Sequence, residues 1–355
     1  MEQLLRNIIA TIEPVTNSLE QKVQAHLDNL TKPRGSLGRL EEFAARYIAI
    51  TGEDPPQIPK KAIMVFAGDH GITEEGVSAF PKDVTHQMVY NFIEGGAGIN
   101  VLARHAGADV HVIDIGVEHD FRDVEGLVAR KVDYGTANMA KGAAMPRIQA
   151  IAAIMAGIEL AEEAAGSGAR LLGTGEMGIG NTTPASAMTS VLCNRNPEDV
   201  TGRGTGIGDD DYRKKIGLIR QAIELNHPDP EDPIDVLAKV GGYEIAGICG
   251  LILGAALHKT PVVTDGFIST AGAITAKALC PHVTDYLFAA HQSVEQGHQI
   301  QMEYLGLKPM LNLDLRLGEG TGAALAMTLI DAGIKIYNEM ATFEKASVAP
   351  GDEQI

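Results

Sequence analysis

Short unbroken apolar runs alternate with longer stretches of helical period over most of the chain. Ala62–Ala67 (AIMVFA), Asp109–Ile115 (DVHVIDI), Arg170–Leu172, Pro261–Thr264 and Tyr286–Ala290 read as buried strands, each closed by Gly or a polar residue. Between them, Pro81–Ile93, Gly98–Ala106, Ala143–Ala165, a stretch to about Cys193, Tyr212–Leu225, Glu244–Leu257 and Ile268–Leu279 read as helices. In Leu311–Leu317 leucines alternate with Asn312, Asp314 and Arg316. That period-2 pattern predicts a further strand, followed by Gly318-Glu319-Gly320 and a helix to about Met340. About six strands alternating with helices predict parallel βαβ units. Residues 1–50 read as helices broken at Thr31–Ser36, with Ser36 expected to cap the next helix and Pro55, Pro56 and Pro59 marking a junction.

This pattern decides where the chemistry falls. Parallel strands point one way, so residues just past their ends share one sheet edge. Asp69, His70, Glu176, Asp265, His291 and Glu319 all sit there, several beside glycine, which predicts a single cleft. Glu319 is the most informative of them, a carboxylate on a glycine turn where a substrate can approach the backbone.

Composition narrows the class. The chain has 355 residues, enough for a large core, and is 45% hydrophobic with 5% aromatics and no Trp, so small aliphatics must build the core. A formal charge of −17 argues against a nucleic-acid or anionic-membrane surface. Cys193, Cys249 and Cys280 form no CxxC pair and suit a reducing cytoplasm. No signal peptide and no membrane span are predicted.

Gly173-Thr174-Gly175-Glu176-Met177-Gly178 spells G-x-G-x-x-G after a predicted strand, which invites a nicotinamide-dinucleotide reading. Glu176 would bring negative charge to the pyrophosphate, and earlier strand–helix units precede the motif. A single phosphate held by the N–H groups of Gly178–Asn181 at a helix start fits better, and a plain tight turn is the alternative. Gly202–Gly208 is a second glycine loop without a Walker ending, followed by Arg213, Lys214 and Lys215, any of which offers a cation to a phosphate. His291 and His298 lie seven apart on an expected helix, but no HExxH or Cys/His quartet appears, so no metal is expected. No GxSxG elbow supports an α/β-hydrolase.

Several blocks together resemble one family. KPRGSLGRLE (Lys32–Glu41), AGDHGITEEGVSAFP (Ala67–Pro81), GEMGIGNTTPASA (Gly175–Ala187), TGRGTG (Thr201–Gly206), DGFISTAGA (Asp265–Ala273) and LDLRLGEGTGAALAM (Leu313–Met327) are similar to the nicotinate-nucleotide–dimethylbenzimidazole phosphoribosyltransferases of cobalamin lower-ligand synthesis. The resemblance spans nearly the whole chain. It implies a parallel, Rossmann-like α/β large domain over residues 59–328 and a small helical domain built from residues 1–58 and 329–355. It also implies a cytoplasmic homodimer whose site borrows from the partner, with no metal or redox cofactor. The implied reaction transfers the phosphoribosyl group of nicotinate mononucleotide to 5,6-dimethylbenzimidazole.

Residue roles come with the resemblance. Glu319 matches the family's catalytic glutamate, and Glu176 is expected near the nicotinate and its ribose. Gly178 and Gly180, with Met177, Asn181 and Gly204 beside them, are expected around the nucleotide, with Lys215 as the phosphate cation. Ser78, Gln87 and Leu317 are expected to border the benzimidazole, and Asp265 and His291 to line the substrate site. The competing readings are a dinucleotide-dependent oxidoreductase and a non-catalytic nucleotide-binding protein.

Overall fold

One six-stranded sheet organises the chain in the computed structural model, which describes residues 1–349 and Gly351. Its strands are β1 (Lys61–Gly68), β2 (Asp109–Gly116), β3 (Leu127–Ala129), β4 (Leu171–Met177), β5 (Val262–Thr264) and β6 (Leu287–Ala289). They lie in the order β3-β2-β1-β4-β5-β6, and every neighbouring pair is parallel. β1 is buried along its whole length, as a parallel strand covered by helices on both faces must be. The chain winds outward from β1 to β3, returns to lay β4 beside β1, then winds the other way. The strand order therefore reverses between β1 and β4, and a crevice opens there at the carboxyl ends.

The helix Tyr243–Leu257 is apolar on every side and buried from Tyr243 to Ala256, because it runs between the sheet and the helix Arg147–Gly166. Close approach of these helices depends on glycine. A Cβ at Gly157 would overlap the Gly247 carbonyl, and one at Gly250 the Ile154 carbonyl. The N-terminal helices Glu2–Ala10, Glu20–Asp28 and Arg39–Thr51 join the same continuous core. Glu2–Ala10 packs on the helix Arg147–Gly166, and the other two meet the last long helix, Thr321–Glu339, where Gly333 faces the Leu40 carbonyl and the Tyr337 carbonyl contacts His26 Nε2 at 2.8 Å. Of the C-terminal segment expected from residue 329, Pro350 and residues 352–355 lie outside the described residues. Among the described residues no helix is long and apolar enough to cross a membrane.

Three expectations are corrected. Leu311–Leu317 is not a strand: only Leu311 bridges to His291, Asp314 takes a left-handed φ of 54°, and Leu313 and Leu317 are 53% and 60% exposed. β6 ends at Ala289, so the alternating leucines have no strand to pair with. The sixth strand is instead β3, three residues long and too short to show a period. Ser36 caps nothing; the helix Arg39–Thr51 starts after Gly38, and Glu41 reaches back to accept from the Leu37 N–H at 2.9 Å while pairing with Lys32. His298 lies on the helix Gly297–Leu305, but His291 precedes it in the bridge to Leu311.

Candidate active site

A cavity of about 720 Å³ opens outside the carboxyl ends of β1, β4, β5 and β6. The segment after β1 contributes Val77, Ser78, Phe80, Val84 and Met88, and the last residues of β4 with the turn after them contribute Glu176 through Thr182. Asp265–Ser269 follow β5; His291, Ser293 and Glu295 follow β6. Asp314–Glu319 close one side, with Gly204 and Thr205 at the glycine loop. The cleft expected at the strand ends thus gathers Glu176, Asp265, His291 and Glu319.

Asp69 and His70 reach the same sheet edge but do not line the cavity. His70 Nε2 meets Glu244 Oε1 at 2.8 Å with both side chains buried, and Asp69 Oδ2 accepts from the Glu118 N–H at 2.8 Å. Burial pulls the His70 imidazole down, but the neighbouring Glu244 carboxylate outweighs it and the net direction is upward. These two residues brace the turn rather than face a ligand: a Cβ at Gly178 would lie 3.2 Å from His70 Nε2.

Glu319 sits between two glycines, and all three residues take left-handed φ, 81° at Gly318, 62° at Glu319 and 95° at Gly320. A Cβ at Gly318 would strike Glu176 Oε1, so only glycine fits there. The carboxylate of Glu319 accepts from the Ile99 N–H at 3.0 Å, in the first turn of the helix Gly98–Ala106. Burial and the nearby Asp265 raise its pKa, while the N–H groups of Ile99 and Gly98 oppose them; the net direction is up. Glu176 is buried too. Burial pushes its carboxyl up to about 8, Glu244, Asp265 and Glu319 add to that, and the Asn181 side-chain amide, which donates to it, opposes.

Asp265 uses both carboxylate oxygens on backbone. Oδ2 accepts from Gly320 N–H at 3.1 Å, and Oδ1 from Gly322 and Ala323 N–H at 2.7 and 3.1 Å. His291 Nε2 lies 3.7 Å from Asp265 Oδ1, and its buried Nδ1 has no partner.

In the turn after β4, Ile179 N–H donates to Thr85 Oγ1 and Asn181 N–H to the Gly178 carbonyl. The anion cradle read in Gly178–Asn181 therefore reduces to Gly178 and Gly180, the latter at φ 86°. Lys215 is fully buried, with Nζ donating to Thr182 Oγ1 at 2.7 Å and lying 3.4 Å from the Gly202 carbonyl. It stands behind Thr182 and Gly204, which line the cavity. Burial brings its pKa down to about 8 against the pull of Glu295. Glu295 Oε1 in turn accepts from Gly204 N–H at 3.0 Å. Lys214 and Arg213 are exposed.

Ser78, Met177 and Leu317 line the cavity, whereas Gln87 is exposed on the helix Val84–Ile93 and only its neighbours Val84 and Met88 reach the lining. Sequence reasoning missed Glu295, Ser269 and Glu244. The first two follow strand ends, a signal available in the chain; Glu244, inside an apolar helix, offered only its charge. The G-x-G-x-x-G run is not a dinucleotide turn. Gly173 and Gly175 lie within β4, where a Cβ would press on Met327 and on the Glu319 carbonyl respectively.

A family model described as Phosphoribosyltransferase matches residues 12–348. The chain is 61% identical over 349 residues to the nicotinate-nucleotide–dimethylbenzimidazole phosphoribosyltransferase of Geobacter sulfurreducens, covering 98% of this chain and 99% of that protein. It is 58% identical over 349 residues to the protein of the same name from Chlorobium chlorochromatii, with the same coverage. The crystal structure of CobT from Thermus thermophilus matches with a TM-score of 0.89 at 46% identity, covering 97% of this chain and 100% of that one.

Proposed function

The chain belongs to the nicotinate-nucleotide–dimethylbenzimidazole phosphoribosyltransferase family, and from that premise we propose how it acts. It is a pentosyltransferase that moves the phosphoribosyl group of nicotinate mononucleotide to 5,6-dimethylbenzimidazole, releasing nicotinate and α-ribazole 5′-phosphate for the nucleotide loop of cobalamin.

One observation carries the assignment of roles. A single cavity is lined by a buried glutamate of raised pKa, by apolar side chains and by glycine turns, with a buried lysine behind Thr182 and Gly204. We assign the apolar part of the lining, with Val84, Met88, Leu315, Leu317 and Ser78, to the aromatic base. Gln87, exposed and outside the lining, borders it only from the rim. The N–H groups of Gly178 and Gly180, with Met177, Asn181 and Gly204 around them and Lys215 behind, take the phosphate and nucleotide. Glu176 faces the ribose and nicotinate.

The bonds balance without a cofactor. One ring nitrogen of the base attacks C1′ of the ribose as the bond from C1′ to the pyridinium nitrogen breaks. The departing ring takes that electron pair and leaves neutral, so it needs no acid. The other ring nitrogen gives its proton to Glu319. Charge building at C1′ is stabilised by the ionised Glu319 carboxylate. A glutamate raised toward neutrality suits a base that must be ionised before the reaction yet bind a proton during it. Attack on the face opposite the pyridinium inverts the β-nucleotide to the α-product.

We also propose a homodimer. Phe80, Leu313 and Leu317, exposed near the cavity mouth, offer apolar surface for a second copy to cover. The three free cysteines suit the cytoplasm.

Incubation with nicotinate mononucleotide and dimethylbenzimidazole tests the reading. Stoichiometric nicotinate and an α-glycosidic product are expected; nucleotide binding without turnover on any benzimidazole overturns it.

A further inference from the structure

We infer that Asp265 is the positioning residue of the transfer: its buried carboxylate gathers the N–H groups of Gly320, Gly322 and Ala323 and so holds the turn that presents Glu319. This rests on the reading of Glu319 as the base.

The turn needs a tether. Three consecutive residues, Gly318, Glu319 and Gly320, adopt left-handed φ, a conformation unfavourable for the glutamate. Only external contacts keep such a turn in one place. Asp265 supplies them from just past the end of β5, at 2.7 to 3.1 Å. The same three N–H groups open the helix Thr321–Glu339, whose N-terminus favours a negative charge.

Asp265 is itself fixed from two sides. Its own N–H donates to Thr174 Oγ1 at 3.0 Å, and Thr174 is in register with Met64 of β1 in the sheet. On the other side His291 Nε2 lies 3.7 Å away, packed so closely that a Cβ at Gly322 would overlap its ring. The line from β4 through Asp265 to Gly320 thus ties the catalytic carboxylate to the strand-order reversal. With both oxygens engaged on backbone N–H groups and 1% of its surface exposed, Asp265 directs its carboxylate at the turn.

Asp265→Asn and Thr174→Val test this, with steady-state kinetics and amide hydrogen exchange of the 315–325 segment measured on the full chain. The first variant loses one acceptor for the N–H cluster; the second loosens Asp265 without touching the turn and serves if the first fails to fold. The expected result is a kcat reduced about 10- to 100-fold in Asp265→Asn, with KM for nicotinate mononucleotide within about threefold. Exchange at Gly320, Gly322 and Ala323 quickens in both variants, more in the first. A rise in KM with kcat and exchange unchanged makes Asp265 a substrate ligand and overturns the inference, as does unchanged exchange in both variants. Exchange needs no substrate, so failure of the wild-type chain to transfer phosphoribose is a separate outcome that strikes only the functional reading.

Discussion

The Ile99 N–H donates to Glu319 Oε2 at 3.0 Å, which places the carboxylate over the first turn of the helix Gly98–Ala106. The contact is tight because Gly98 has no side chain; a Cβ there would lie 3.2 Å from Oε2 and 2.9 Å from the Leu317 side chain. Two influences meet on this group. Burial makes its charged form costly, and the helix end makes it favourable. Burial prevails, and the glutamate is a stronger base than one in water while keeping a fixed orientation.

Replacing this side chain separates binding from chemistry. Glu319→Gln keeps the shape and removes the base, so kcat falls about 100-fold or more while nicotinate mononucleotide binds nearly as before. Kinetics together with a direct binding titration check both halves.

The pH profile has a predicted sign on each side. Glu319 must be ionised to act, so kcat/KM rises with pH through its pKa, which lies above the ordinary carboxylate range. Lys215 loses its charge near about pH 8 in the free protein, so kcat/KM for nicotinate mononucleotide falls above that point. Lys215→Ala raises KM for the nucleotide and flattens the alkaline limb. Persistence of that limb in the variant assigns it to Glu176, the other cavity group near about 8.

Glu176 also links pH to stability. Its pKa of about 8 in the folded chain is above the ordinary 4.5 of a glutamate, so between those values the folded state holds a proton that the unfolded state lacks. Its contribution to stability therefore declines as pH rises through that window. Glu176→Gln keeps a neutral side chain in both states and removes this proton linkage, so the variant gains Tm over the wild type progressively from about pH 5 to about pH 8. Thermal unfolding at several pH values checks this; a gap that stays constant assigns Glu176 an ordinary titration.

Gly175 is the structural counterpart on β4. A side chain there would press on the Glu319 carbonyl and on Val65, both fixed by surrounding structure. Gly175→Ala should destabilise the fold by about 1–3 kcal/mol and lower kcat more than it changes KM. Denaturant unfolding and initial rates on the same preparation measure the two effects.

Which parts of this were legible in the chain follows from physics at particular residues. β1 and the helix Tyr243–Leu257 were readable because burial on both sides leaves continuous apolar runs, and β2 because its second half is buried. The catalytic turn was readable because its glycines at 318 and 320 mark backbone that other residues resist. Leu311–Leu317 misled because alternation describes a strand only when a neighbour pairs with it, and here the leucines turn toward the cavity and the exposed surface. The glycines of Gly173–Gly178 misled for another reason. Gly173 and Gly175 are needed for close packing inside β4, and a motif cannot tell a packing glycine from a phosphate-binding one. Asp265 was visible as a strand-end acid, but its three backbone bonds come from residues more than fifty positions away, beyond any local pattern.

The central claim is that Glu319 takes the proton of the incoming base, and a crystal structure of the protein with 5,6-dimethylbenzimidazole bound measures it most directly. The account predicts a Glu319 carboxyl oxygen about 2.6–3.2 Å from a ring nitrogen of the base, with the other nitrogen facing the nucleotide end of the cavity. A base bound in the cavity with both nitrogens beyond hydrogen-bond reach of Glu319 would contradict it.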